Sequence, residues 1–109
     1  MKYPFNVLEP YRSFLLDWQK IVEGRLNKWK FSRILVWDIL VFETWEEFEV
    51  LEKNIYSSFF EMMQKEWLKN VLPDKIDIQD WVNSVYYKFY SKELEQKFWV
   101  SAIKIKRIK

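Results

Sequence analysis

The chain has 109 residues and a formal net charge of +2, and half of its residues are hydrophobic. This length fits a single domain, 1–109, with one modest core. With no cysteine, no histidine and one glycine, the chain excludes disulfides, thiolate or imidazole metal sites, Ser–His or Cys–His catalytic sets and glycine-rich phosphate loops.

The first predicted element is an amphipathic helix over residues 8–29. Its apolar residues recur at i, i+3, i+4 and i+7, which is the spacing of one buried helix face. Pro10 fits the first turn, where a missing N–H costs little. Gly24 is the weak point of this helix, at about 1 kcal/mol relative to alanine.

The next segment, residues 31–42, is apolar on both alternating faces. This pattern fits either a central strand or a buried helical segment. Thr44 and Glu47 have the spacing of a capping box, and Pro73 is incompatible with a continuing helix. We therefore expect a second long helix from Thr44 to the residue before Pro73, and a strand before it.

An alternative keeps residues 32–72 as one helix, because Ile34, Trp37 and Val41 stay in helical phase with the segment beyond. In either version, helical spacing places several large aromatic side chains in the core. The side chains expected to be mostly buried are Trp18, Phe48, Phe59 and Trp67.

The C-terminal third is predicted to change from helix to strand. Asp77 can cap a short helix over residues 77–82. Residues 85–90 and 98–108 are rich in β-formers, and we expect them to form an antiparallel hairpin. Strand alternation then directs Ile103 and Ile105 to the core and the neighbouring basic residues to solvent.

These elements predict an α+β fold in which two long helices and a short helix pack on a small antiparallel sheet with a C-terminal hairpin. The alternative fold is an all-α bundle with the long helix over 32–72.

Two oppositely charged segments are the candidate binding surfaces. Residues 43–66 carry seven acids and two bases, whereas residues 97–109 carry five bases and no acid. The acidic docking face comprises Glu46, Glu47 and Glu49. The candidate contacts to nucleic acid or another partner are Lys97, Trp99, Lys104, Lys106, Arg107 and Lys109.

Each charged segment also has a purely structural interpretation. Acids at a helix start form a solvated face that complements the helix dipole, and lysines protect an edge strand from aggregation. The two segments could also pair with each other inside the molecule.

A nuclease motif is matched only formally. Pro73-Asp74 followed by Glu95-Gln96-Lys97 resembles the PD-(D/E)xK pattern of a large nuclease family, in which carboxylates hold Mg²⁺ and the lysine assists the attacking water. The structural alternative is a solvated turn around residue 96.

These observations predict a small, non-enzymatic protein-binding module, of the kind found among accessory or inhibitor proteins of viruses and other mobile elements. The alternative is a nucleic-acid-binding protein that uses the basic C-terminal strand, and a metal-dependent nuclease is a distant third. No catalytic, cofactor or metal residue is assigned. The N-terminus lacks an apolar signal region and no stretch is long enough to cross a membrane, so we expect a cytoplasmic protein, in the host cytoplasm if it is viral. The sequence leaves a homo-oligomer open.

Overall fold

The structure, a computed structural model, describes residues 1–7, 9, 11–18, 21–72, 74 and 90–108. The elements within these ranges are short, and the longest of them is a strand. In chain order they are β1 (Lys2–Pro4), α1 (Tyr11–Leu16), β2 (Val22–Leu26), α2 (Lys30–Arg33), β3 (Ile39–Val41), β4 (Glu47–Tyr56), α3 (Phe59–Glu66), α4 (Leu68–Val71), α5 (Lys92–Phe98) and β5 (Val100–Arg107).

The five strands form one mixed sheet that curls into a half-barrel, in the order β1-β3-β4-β5-β2. β1 runs parallel to β3, and all other neighbouring strands are antiparallel. The last strand, β5, therefore lies between β4 and β2 and joins them.

An irregularity in β4 helps to curl the sheet. Val50 lies opposite Ile105, and Glu52 lies opposite Lys104, so Leu51 is an extra residue in β4. A bulge of this kind bends its strand and increases the local twist. It also shifts the alternation of β4 by one residue.

Hydrophobic side chains cover both faces of the sheet. On one face, β2 and β5 pack against α3 and α4, in a cluster of Val22, Leu26, Phe59, Met62, Met63, Val71, Leu72, Val100 and Ala102. On the other face lies a second cluster of Phe5, Leu15, Phe31, Ile34, Leu40, Phe42, Phe48, Val50, Ile103 and Ile105. Because both faces are covered, β5 is buried along most of its length.

The N-terminus of α3 is capped twice. The Ser58 hydroxyl accepts a hydrogen bond from the Glu61 N–H at 3.0 Å, which is ordinary N-capping. The Glu95 carboxylate, buried and contributed by α5, accepts from the Phe59 N–H at 2.8 Å. An anion at this position also complements the helix dipole, so Glu95 fixes α5 against α3.

The predicted fold, with its two long helices, is wrong, and so is the all-α alternative. The expected helix over 8–29 is α1 followed by β2, and β2 contains Gly24 at its centre. The expected helix from Thr44 to residue 72 is β4 followed by α3 and α4. Tertiary pairing with β5 overrides the helical spacing of the apolar residues in both segments.

The predicted C-terminal hairpin is also wrong, because β5 pairs with β4 and β2. The expected short helix over 77–82 and strand over 85–89 lie outside the described residues. Thr44 begins no helix: it is exposed before β4, and its hydroxyl donates to the Glu46 carboxylate at 2.7 Å. Residues 31–42 contain most of α2 and then β3.

Two of the four aromatic burial predictions are confirmed. Phe48 is 1% exposed and Phe59 is fully buried, whereas Trp18 is 53% and Trp67 is 65% exposed. The two tryptophans are wrong because neither lies on a regular helix face. Trp18 follows the end of α1, and Trp67 is the C-cap of α3.

All six described tryptophans share one backbone feature: a positive φ, from 53° at Trp29 to 79° at Trp37. For a bulky residue this conformation is a genuine outlier. A positive φ in a sparsely populated region costs a residue with a Cβ roughly 1–3 kcal/mol, so six such residues cost on the order of 10 kcal/mol. That cost is comparable to the whole stability of a typical domain, about 5–15 kcal/mol.

The sequence predicted that no segment is long and apolar enough to cross a membrane. Among the residues that the structure describes, no helix is long and apolar enough to cross a bilayer.

Candidate functional site

Strand β2 carries a row of polar side chains into the half-barrel. Val22 and Leu26 belong to the cluster under α3, so alternation directs Glu23 and Arg25 to the opposite face. Glu23 lies opposite Ile103 of the second hydrophobic cluster, and Arg25 lies opposite Ser101. Charged side chains therefore occupy a face that is otherwise apolar.

Glu23 and Arg25 form a buried ion pair. The Arg25 Nε lies 3.6 Å from the Glu23 Oε1, and the two side chains are 19% and 7% exposed. The Arg25 guanidinium also donates to the Asn6 carbonyl at 2.5 Å and lies 5.1 Å from the centre of the Phe31 ring. Burying two charges is costly even when they are paired, so this pair points to a role beyond stability.

Asn27 follows directly after the end of β2. Its backbone N–H donates to the Trp99 carbonyl at 3.0 Å. Its side-chain Oδ1 is buried and accepts no hydrogen bond within the part of the chain that the structure describes. A buried acceptor without a donor costs about 1–3 kcal/mol, and a ligand N–H would remove that cost. We call Glu23, Arg25 and Asn27 the β2 polar cluster.

Two further lysines lie at the border of this face. The Lys53 ammonium donates to the carbonyls of Phe31 and Ile34, at 2.6 and 2.9 Å, and burial lowers the pKa of Lys53. Lys30 donates to the Pro4 carbonyl, and its pKa is lowered by burial and then by the charge of Arg25. Positive charge is thus concentrated beside the cluster.

Next to the cluster, basic side chains alternate with aromatic rings. The Lys28 ammonium lies 4.0 Å from the centre of the Trp29 ring and 4.5 Å from that of Phe98. The Lys97 ammonium lies 5.2 Å from the same Phe98 ring. We call Lys28, Lys30 and Lys97 the basic rim.

The basic and aromatic residues that the sequence placed on one C-terminal strand lie in two different parts of the structure. Lys97 and Trp99 precede β5 and lie beside Lys28 and Asn27. Lys104 is half-buried and Lys106 is exposed on β5, whereas Lys109 lies outside the described residues. The strand therefore does not carry one continuous basic surface.

The side chains of β5 alternate as predicted, because Ile103 and Ile105 are buried. The interpretation of its lysines as edge protection is wrong, since β5 is a central strand. Lys104 lies opposite Glu52, and Lys106 lies opposite Glu49. Arg107 donates to the Leu16 carbonyl at 3.4 Å.

The predicted acidic docking face is engaged inside the molecule. Glu46 pairs with Arg12 at 3.4 Å and Glu47 pairs with Lys2 at 3.0 Å. A hydrogen bond from Thr44 is the largest cause of the lowered pKa of Glu46. Glu49 lies opposite Lys106 in the pairing of β4 with β5, where opposite charges on neighbouring strands attract each other.

The two acidic residues of the formal nuclease pattern lie in different surroundings. Glu95 is buried in α5, where its carboxylate caps α3, and Asp74 is exposed. Burial, with Asp74 contributing, raises the pKa of Tyr11 to about 12. Within the described part of the chain, no three acidic side chains lie close enough together to hold a metal ion.

A separate, mostly apolar cavity of about 480 Å³ lies at the β1–β3 edge of the sheet. Asn6 links it to the β2 polar cluster, because the Asn6 carbonyl accepts from Arg25. Its lining residues are Lys2, Tyr3, Pro4, Asn6, Val41, Phe42, Glu43 and Trp45.

The sequence interpretation missed the β2 polar cluster because it placed these residues on a helix. There, Glu23 and Asn27 fall on the solvent-facing side. The available signal was period-two alternation over residues 22–27, in which Val22, Gly24 and Leu26 separate three polar side chains.

Solved structures that are similar to this chain over nearly its whole length include the following two. The crystal structure of hypothetical protein PH0355 is 38% identical with a TM-score of 0.94, and covers 99% of this chain and 100% of that one. The solution NMR structure of protein PF0455 from Pyrococcus furiosus is 34% identical with a TM-score of 0.85, and covers 100% of this chain and 99% of that one. No family model and no curated protein matches the chain.

Proposed function

We propose that this chain, which belongs to the same family as hypothetical protein PH0355, binds single-stranded nucleic acid at the β2 polar cluster and the basic rim. The observation that carries the proposal is the buried Asn27 Oδ1, which lacks a donor among the described residues and belongs to the residue just after the strand that carries the Glu23–Arg25 pair.

The cluster supplies the groups that recognise a base edge. A nucleobase presents donors and acceptors in one plane, and the Asn27 amide can pair with such an edge, as asparagine does with adenine. Glu23 contributes acceptors and Arg25 contributes donors. Because the Asn27 Oδ1 is buried, a base that offers no donor at this position would leave that acceptor unpaired.

The basic rim supplies contacts to the backbone and to the faces of bases. Lys28 and Lys97 belong to distant segments of the sequence, and both of their ammonium groups lie close to the Phe98 ring. Cationic side chains beside aromatic rings are the usual means by which proteins hold single strands, through phosphate contacts and base stacking.

The other interpretations have less support. The protein-binding hypothesis relies on exposed tryptophans and an acidic face, but the acids pair internally and the tryptophans lie in separate turns and caps. The version of nucleic-acid binding that uses β5 relies on lysines that face glutamates.

The test is a titration of labelled single-stranded RNA and DNA homopolymers, followed by fluorescence anisotropy across a salt series. We expect affinity to fall as salt rises. The double variant Lys28→Gln/Lys97→Gln should reduce the slope of log K against log salt by about 1.4, because each phosphate contact on a single strand contributes about 0.7. The matched control is Lys104→Gln/Lys106→Gln, which removes the same charge from β5 and should leave the slope unchanged.

Base recognition is tested separately with Asn27→Leu. This variant removes the buried acceptor, so the fold should keep or gain stability while the preference among homopolymers falls about tenfold. The proposal is wrong if the wild-type protein shows no salt-dependent binding, or if the β5 control lowers the slope as much as the rim variant does.

A further inference from the structure

The tryptophans of this chain occupy backbone conformations that belong to glycine. All six described tryptophans have a positive φ, and no other described residue does, the one glycine included. The six are Trp18, Trp29, Trp37, Trp45, Trp67 and Trp99.

Three of these residues lie outside even the left-handed helical region. Their φ and ψ angles are 53° and −134° at Trp29, 71° and 121° at Trp67, and 63° and −172° at Trp99. Positive φ with an extended ψ is essentially confined to glycine, because a Cβ clashes with the neighbouring backbone.

The positions are also those at which folds use glycine. Trp67 and Trp99 end helices α3 and α5, and the Trp99 N–H donates back to the Glu95 carbonyl at 2.8 Å. Glycine is the residue that helix ends use most often where φ must be positive. Trp45 lies in the turn between β3 and β4, where its N–H donates to the Phe42 carbonyl at 2.9 Å.

The indole side chains contribute little to the core. Each of the six is between 50% and 78% exposed, although tryptophan is highly buried on average. Six of the largest apolar side chains thus lie in water while smaller ones form the two clusters. A position chosen for tryptophan chemistry would not show this combination of exposure and backbone geometry six times.

Composition points the same way. The chain has one glycine and seven tryptophans. An average domain of this length has about eight glycines, at about 7% of residues. The one glycine and seven tryptophans of this chain add up to the same number. The shortage of glycine is therefore matched by the excess of tryptophan.

We propose that these tryptophan positions are glycine in the protein as its own organism makes it, because the codon involved is UGA read as glycine. UGA is read as stop, tryptophan or glycine in different genetic codes, and one anticodon change lets a glycine tRNA read it. Trp81 lies outside the described residues, but a shared codon makes it glycine too. This inference stands on the backbone alone and does not rest on the proposed function.

The direct test is peptide mass spectrometry of the protein purified from the organism that encodes it, together with the codons of its gene. We expect UGA at all seven positions and glycine in every peptide that covers them. A peptide with tryptophan at any of the six described positions overturns the proposal.

A recombinant comparison tests the physical argument by itself. Trp37→Gly should raise the melting temperature by roughly 5 °C, because it relieves the left-handed backbone. Its control is Leu35→Gly, two residues away, where the side chain is 66% exposed and φ is not positive. This change should lower the melting temperature, since glycine adds entropy to the unfolded chain. If Trp37→Gly also lowers it, the glycine assignment fails at that turn.

Discussion

Replacing Glu95 tests whether one buried carboxylate holds α5 and α3 together. Glu95 is 5% exposed, and its Oε2 accepts from the Phe59 N–H at 2.8 Å. Phe59 is the first residue of α3 and is itself fully buried. Glu95→Ala therefore leaves a buried N–H without this acceptor and removes an anion from a helix N-terminus.

The expected cost follows from these two contributions. A hydrogen bond to a charged group is worth about 1.5–3 kcal/mol, and an anion at a partly buried helix N-terminus about 1 kcal/mol. Glu95→Ala should thus lower the free energy of unfolding by roughly 3 kcal/mol. Glu95→Gln keeps a neutral acceptor and should cost about 1 kcal/mol.

Urea denaturation followed by circular dichroism measures both effects, and thermal melting gives a second readout. For a domain of this size, 3 kcal/mol corresponds to a fall of about 15 °C in melting temperature. Glu93→Ala is the matched control, because Glu93 is exposed in the same helix. If Glu95→Ala and Glu93→Ala unfold at the same urea concentration, the carboxylate does not stabilise α3.

Two further predictions concern the second hydrophobic cluster and the acid stability of the fold. Phe48 packs against Phe42, with ring centres 4.9 Å apart, so Phe48→Ala should cost about 3–5 kcal/mol in urea denaturation; a loss below 1 kcal/mol would contradict its placement in the core. At Asp38, hydrogen bonds from the Leu35 N–H and then from the N-terminal ammonium lower the pKa in the folded state. That stability is present above the unfolded pKa and is lost as pH falls through the lower folded pKa. Asp38→Asn should therefore make the melting temperature fall less steeply below about pH 4. If the melting temperature of the variant falls with pH as steeply as that of the wild type, Asp38 does not contribute to the acid stability.

The sequence predicted the local alternation of β5 but not the partners of the strand. Ile103 and Ile105 could be placed because their alternation with lysine is regular. β4 could not be recognised, because the extra residue Leu51 interrupts its alternation and the apolar residues Phe48, Ile55 and Phe59 recur at a helical spacing. Pairing between β2 and β5 joins distant parts of the chain, and periodicity in one segment carries no information about it.

The candidate site was predicted only at its border. Lys97 and Trp99 were selected because basic and aromatic residues adjoin there. Glu23 and Arg25 were missed because an error in element type reverses which side chains face inward. Their alternating pattern is meaningful only once β2 is known to be a strand.

The central position of β5 constrains the order in which this protein can fold. β5 is synthesised after the other four described strands, and among the described residues it alone joins β2 to the rest of the sheet. A chain still on the ribosome without residues 100–107 has the inner edges of β2 and β4 unpaired, and such edges recruit other strands. The sheet can therefore close only after residues 100–107 have been made, and its closure is dominated by long-range contacts, which makes it slow. Expression at low temperature or with a chaperone that shields strand edges should increase the yield of this protein more than it does for a fold whose last strand is added at an edge.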